Sequence, residues 1–183
     1  MIDDIAPARL AALTPHSAGY SRTQIILHWT TAAIVLAVLF THEEFLAIQS
    51  AMRGGSPVTT GQAILRGFHL WGGAMVFPLA VWRLIIRLRI GVPAPPQRMS
   101  RALRAASSVT HTLLYALILL MPVSGVLVYY RILPLVSGAL HQFGEPALIV
   151  LVNVHTIAAL LHQFYWKTDV LRRMLKSKTS TPT

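Results

Sequence analysis

Residues 138–166 read GALHQFGEPALIVLVNVHTIAALLHQFYW, a long apolar run without a lysine or arginine, in which Glu145 is the only carboxylate. Within it His141 and His155 stand fourteen residues apart. Fourteen residues is close to four helical turns, so both rings leave one face of a helix, about 21 Å apart along its axis. Imidazole is a frequent axial ligand of haem iron. Two such rings on one buried face lead to an expectation of two haems stacked across a membrane.

The composition agrees with a membrane setting. Of 183 residues 54% are hydrophobic and only 12% are charged, outside the range of an ordinary soluble domain. The length allows one domain. There is no cysteine, which excludes thiolate zinc sites, cysteine-ligated iron–sulfur clusters, disulfides and covalent c-type haem attachment. Any haem is therefore held by coordination and packing alone. The net charge of +10 does not indicate nucleic acid, because the basic residues flank apolar segments and form no single stripe. Residues 1–20 carry Asp3 and Asp4 and no apolar core, so the first span is expected to act as an uncleaved membrane signal.

A transmembrane helix needs about 20 largely apolar residues. Four candidates meet that requirement: about Ile25–Ile48, Gly67–Ile86, Val109–Leu127 and Gly138–Trp166. The proline-rich stretch from Val92 to Pro96 must be a connection, because proline cannot propagate a helix. The expected fold class is all-α, a four-helix transmembrane bundle spanning residues 21–175, with an N-terminal extension (1–20) and a polar tail (176–183) expected to be disordered.

Orientation follows from the distribution of lysine and arginine. One side collects 13 of them, including Arg22, Arg83, Arg87, Arg101, Arg172 and Arg173. The other keeps 3: Arg53, Arg66 and Arg131. Both termini are expected in the cytoplasm of a bacterium, with the bundle in its inner membrane. Trp29, Trp71, Trp82, Tyr129, Tyr130, Tyr165 and Trp166 suit interfacial belts at the span ends.

Eight histidines compete for ligand roles. Ionisable groups inside spans are rare and read as functional. Depth pairs His69 with His141 near the periplasmic side and His28 with His155 toward the cytoplasm. Two alternatives stay open on spacing. His42 also follows His28 by fourteen residues, although it abuts Glu43 and Glu44 as at a water interface. His162 lies one heptad after His155, on nearly the same face, and simple depth counting would match it to His28 better. Gly144 and Pro146 add a possible kink after His141, since proline inside a helix commonly bends it. Gly72 and Gly73 after His69 leave room for a flat macrocycle.

Haem propionates require cationic or hydrogen-bonding partners when buried. Arg83, fourteen residues after His69, and Arg66, beside His69, are candidates for the inner and outer haems respectively. His111 and His162, at the cytoplasmic ends of the third and fourth spans, are candidates for a propionate or a quinone carbonyl. His16 receives no role.

Several stretches resemble the bacterial cytochrome b561 family: SRTQIILHW (21–29), FHLWGG (68–73), VWRLIIRL (81–88), THTLLYALILLMPVSG (110–125) and VHTIAALLHQFYWKTD (154–169). The resemblance covers about residues 20–175 and touches all four spans. It implies two b-type haems with His28, His69, His141 and His155 at the ligand positions. It also implies electron transfer between a periplasmic one-electron donor, for which superoxide is allowed, and membrane quinone. Membrane lipid is the expected surround, and a homo-oligomer is compatible with it. Three rival classes are an anchor and electron relay for a separate redox enzyme of the hydrogenase type, a histidine-based metal or proton transporter, and a structural subunit whose histidines only pack. Transport would call for acidic residues in the spans, and Glu145 alone lies near one.

Overall fold

The structure, a computed structural model, describes residues 19–96 and 99–177. The expected N-terminal extension up to residue 18, with His16, and the tail from residue 178 lie outside the described residues. Among the described residues six helices follow in order: α1 (Arg22–Phe40), α2 (His42–Arg53), α3 (Thr60–Ile90), α4 (Arg101–Tyr129), α5 (Pro134–Phe164) and the short α6 (Val170–Arg173). Of these, α1, α3, α4 and α5 are long and apolar enough to cross a membrane.

Local sequence sets the helix starts. Ser21 and Gln24 form a reciprocal capping box on α1, and Thr59 and Gln62 repeat it on α3. The Ser100 hydroxyl accepts the Leu103 amide at the start of α4. Pro134 opens α5, where its missing N–H leaves no intrahelical bond unmade. Pro78, Pro122 and Pro146 all sit inside helices that continue through them.

The first span differs from its expected limits. The apolar run Ile25–Ile48 is divided at Thr41, whose hydroxyl bonds back to the carbonyls of Ala37 and Val38 at 3.0 and 3.1 Å. Such back-bonding competes with the helical ladder. Glu43 and Glu44 then occupy the first turn of α2, where negative charge suits the positive end of a new helix dipole. At the other spans the helices outrun the apolar stretches, α4 beginning at Arg101 and α5 at Pro134.

Packing is sequential: α1 against α3, α3 against α4, and α4 against α5. The first and last spans share no comparable backbone packing. The alternation leaves the start of α1 and the segment after α5 at one end of the bundle, here called the terminal end. The opposite, loop end carries α2 and the α4–α5 turn. Large apolar side chains such as Phe40, Trp71 and Leu135 stand exposed on the outside of the bundle, as suits helices surrounded by lipid. Val35, Val76, Ala80, Ile118 and Leu148 form a buried mid-bundle cluster, and Leu27 and Ile48 are buried apart from it.

That cluster has a regular relation to the histidines. Val35 lies one heptad from both His28 and His42, and Leu148 lies one heptad from both His141 and His155. Val76 follows His69 and Ile118 follows His111 by the same step. A heptad rises about 10 Å. One apolar layer thus separates two histidine levels, and the helical period sets their distance.

Candidate functional site

At the terminal end, α1 contributes His28, α3 Arg83, α4 His111 and α5 His155. The His28 and His155 rings have centroids 6.2 Å apart. A metal–imidazole bond is about 2 Å long. With the ring centre about 1 Å behind its nitrogen, two rings that share one iron have centroids about 6 Å apart, the separation seen here. Arg83 Nη2 donates to His28 Nδ1 at 2.8 Å, and its guanidinium also lies over the Tyr115 ring at 5.7 Å. His111 is edge-on to His155 at 5.1 Å. Its Nδ1–H donates to the Ser107 carbonyl at 2.6 Å, which leaves Nε2 with a free lone pair.

The loop end holds His69 of α3 and His141 of α5. His141 Nδ1 is held at 3.1 Å by both the Met121 carbonyl and the Ser124 hydroxyl. Donation to a carbonyl fixes the tautomer whose Nε2 can bind a metal, an arrangement common among metal-ligating histidines. Gly125 makes this seat possible: a Cβ there would stand 3.0 Å from His141 Cε1. His69 sits by the Val38 carbonyl, yet its Nδ1 is buried with no hydrogen-bond partner among the described residues. One turn earlier, Arg66 has a buried Nε in the same condition.

Two residues behave differently from the sequence reading. His42 is not turned out to water with Glu43 and Glu44. Its Nε2–H donates to Glu145 across 2.9 Å, and both side chains are mostly covered. Its ring centroid is 6.0 Å from that of His69, so distance alone would admit it as an iron ligand, but its Nε2 is engaged by a carboxylate. His162 is buried against Trp166, and its Nδ1 lies 3.1 Å from the Thr168 hydroxyl. Those contacts belong to the chain reversal after α5, beside α6. Around them Trp29 donates to the Met174 carbonyl and Arg173 to the Ala94 carbonyl, tying the C-terminal segment to the terminal end.

Ser124, Gly125 and Phe45 were not singled out from sequence. The Ser-Gly pair at the end of MPVSG carried a usable signal, since small residues inside a span mark close approach. Phe45 carried none, because an aromatic residue near a span end is ordinary.

The sequence profile described as Prokaryotic cytochrome b561 matches residues 19–177. The chain belongs to the prokaryotic cytochrome b561 family. Among its relatives is cytochrome b562 of Cereibacter sphaeroides, 30% identical over 165 residues that cover 87% of this chain and 97% of the relative. Cytochrome b561 homolog 1 of Escherichia coli is 28% identical, over 85% of this chain and 96% of the relative. A probable superoxide oxidase CybB of Yersinia pestis is 24% identical, over 87% and 97%. Membership of the cytochrome b561 family makes this a bacterial membrane cytochrome that binds b-type haem and transfers electrons.

The residues present fit such a group. The His28 and His155 rings stand at a separation one iron could bridge, and the buried, unpartnered Nε of Arg66 one turn from His69 would be satisfied by an anionic group of the cofactor. Among the described residues no cluster of three or more histidine or carboxylate side chains is disposed to hold a metal ion. Paired imidazoles without a third ligand suit an iron whose remaining ligands come from a macrocycle.

Proposed function

We propose that this cytochrome carries two b haems and passes electrons across the bacterial inner membrane between a periplasmic one-electron donor and the quinone pool. His69 and His141 would ligate the haem at the loop end, and His28 and His155 the haem at the terminal end. The observation that carries this reading is the segregation of histidines to two levels, one heptad above and one below a single apolar layer. When bound, the haem supplies reversible one-electron chemistry at iron. The chain's own part would be to hold each haem through two imidazoles, which favours outer-sphere electron transfer over oxygen chemistry.

The excess of lysine and arginine at the terminal end supports both termini facing the cytoplasm, so the loop end faces the periplasm. Arg53 and Arg131 are exposed there, and positive charge at that end would raise the local concentration of a small anion. With the relationship to a probable superoxide oxidase, this supports superoxide as the donor. Arg66 and Arg83 are the proposed propionate partners. The quinone is assigned to the terminal end, near His111, where an unbonded Nε2 is available to a carbonyl or hydroxyl.

Pyridine-haem quantitation of purified protein, together with a reduced-minus-oxidised optical spectrum, tests the reading. Two low-spin b haems per chain are expected, with one lost in His69→Ala and one in His155→Ala. A single haem in the parent protein, or retention of both in either variant, overturns the assignment.

A further inference from the structure

The loop end contains a device that neither family membership nor the ligand assignment accounts for. Where Thr41 ends α1, α2 turns across the loop end and packs on α3, anchored by Ile48, which is 1% exposed. His42, Phe45 and Ile48 follow one another at steps of three and so share a face of α2. On that face Phe45 stacks flat on His69, with centroids 4.2 Å apart and planes inclined by 22°. His42 reaches past it to Glu145 on α5 at 2.9 Å.

The two loop-end ligand candidates are therefore held by different means. His141 has its Nδ1 fixed by Met121 and Ser124, so hydrogen bonds determine its ring plane. His69 lies by the Val38 carbonyl, but its Nδ1 makes no hydrogen bond of good geometry among the described residues, so packing is left to limit the rotation of its ring. An aromatic face lying nearly parallel to it removes that freedom, because rotation would drive the ring into its neighbour. Tethering α2 to α5 keeps the aromatic face in place.

We propose that Phe45, held over the site by the His42–Glu145 pair, is a positioning residue that sets the ring plane of His69 and covers that ligand from water. The inference rests on His69 being an axial ligand. It assigns a role to α2, which crosses no membrane, and to Glu145, which is otherwise an isolated carboxylate on an apolar helix.

The test compares Phe45→Leu, Phe45→Tyr and His42→Ala with the parent holoprotein. For each, haem content, the low-spin electron paramagnetic resonance spectrum and the two midpoint potentials are measured. The angle between axial imidazole planes governs the low-spin g values, so they read ligand orientation directly. Phe45→Leu and His42→Ala are expected to keep two haems per chain, move the g values of one haem and lower its potential as water gains access. Phe45→Tyr, which keeps the flat ring, is expected to restore the parent signature. Unchanged g values and potentials in Phe45→Leu would overturn the proposal, as would a change that Phe45→Tyr fails to reverse. His69→Ala distinguishes the two failures: if it retains both haems, the ligand assignment is wrong, and if it loses one while Phe45→Leu has no effect, only the positioning role is wrong.

Discussion

Arg83 Nη2 donates to Nδ1 of His28 across 2.8 Å, joining α3 to α1 at the terminal end. An Nδ1 that accepts a hydrogen bond belongs to a neutral imidazole whose proton is on Nε2. A histidine that binds iron through Nε2 must instead carry its proton on Nδ1, and Arg83, a donor only, has no acceptor there. Ligation by His28 would therefore free the guanidinium for the propionate proposed above. Arg83→Gln is expected to keep the terminal-end haem but lower its midpoint potential, because a removed cation no longer disfavours the oxidised form. A lost interaction of about 1.4 kcal/mol corresponds to roughly 60 mV for one electron. A redox titration that finds both potentials unchanged would remove Arg83 from the haem environment.

His111 and His155 are close enough to be confused as ligands, with ring centroids 5.1 Å apart. If His155 is the ligand and His111 only a neighbour, His111→Gln retains two haems per chain and His155→Ala retains one. The reverse pattern in pyridine-haem quantitation would exchange their roles.

Gly125 faces the ring of His141, and a methyl group there would meet Cε1 at 3.0 Å. Gly125→Ala is expected to push the ring from its bonds to Met121 and Ser124, reducing loop-end haem occupancy and costing about 1–3 kcal/mol as an overpacked contact. Gly61→Ala, where nothing lies within 4 Å, serves as the control and is expected to leave haem content at the parent value. Equal haem content and thermal stability in the two variants would contradict the close approach.

Ala80 is fully buried in the mid-bundle layer between α3 and α4. Ala80→Leu is expected to cost about 1–3 kcal/mol by forcing those helices apart. Thermal denaturation in detergent reads the loss, and a midpoint at or above that of the parent would mean the layer is loosely packed.

Tyr20 precedes α1 at the terminal end, and burial raises its phenol pKa above 10.0, with Arg87 partly opposing the effect. A raised folded-state value means that the stabilisation is complete below the unfolded pKa and is lost as pH rises through the folded one. The parent protein is therefore expected to lose stability above about pH 10, and Tyr20→Phe is expected to lose less over the same interval. Parallel alkaline stability curves for the two proteins would place Tyr20 in solvent.

Much of this architecture is local in origin and was legible in the chain. Four apolar segments of membrane length give four spans, because in lipid a helix is the way a single segment satisfies its own backbone. The fourteen-residue interval His141–His155 places histidines at two levels, because the helical repeat converts sequence distance into axial distance. Helix starts at Ser21, Thr59 and Ser100 follow from side chains within three residues of the backbone they cap.

Tertiary structure alone decided which side chains meet. His42 had the spacing of a ligand, and only the fold brought Glu145 to its Nε2 across more than a hundred residues of chain. His162 had the face of a ligand, and only the reversal of the chain after α5 turned it to Thr168 and Trp166. The stack of Phe45 on His69 depends on α2 breaking from α1 at Thr41 and folding back over α3. Spacing along a helix determines depth and face, which are properties of one segment. Partnership depends on helix rotation, on where a span breaks and on which neighbours leave a gap, and these are settled when the four helices pack together.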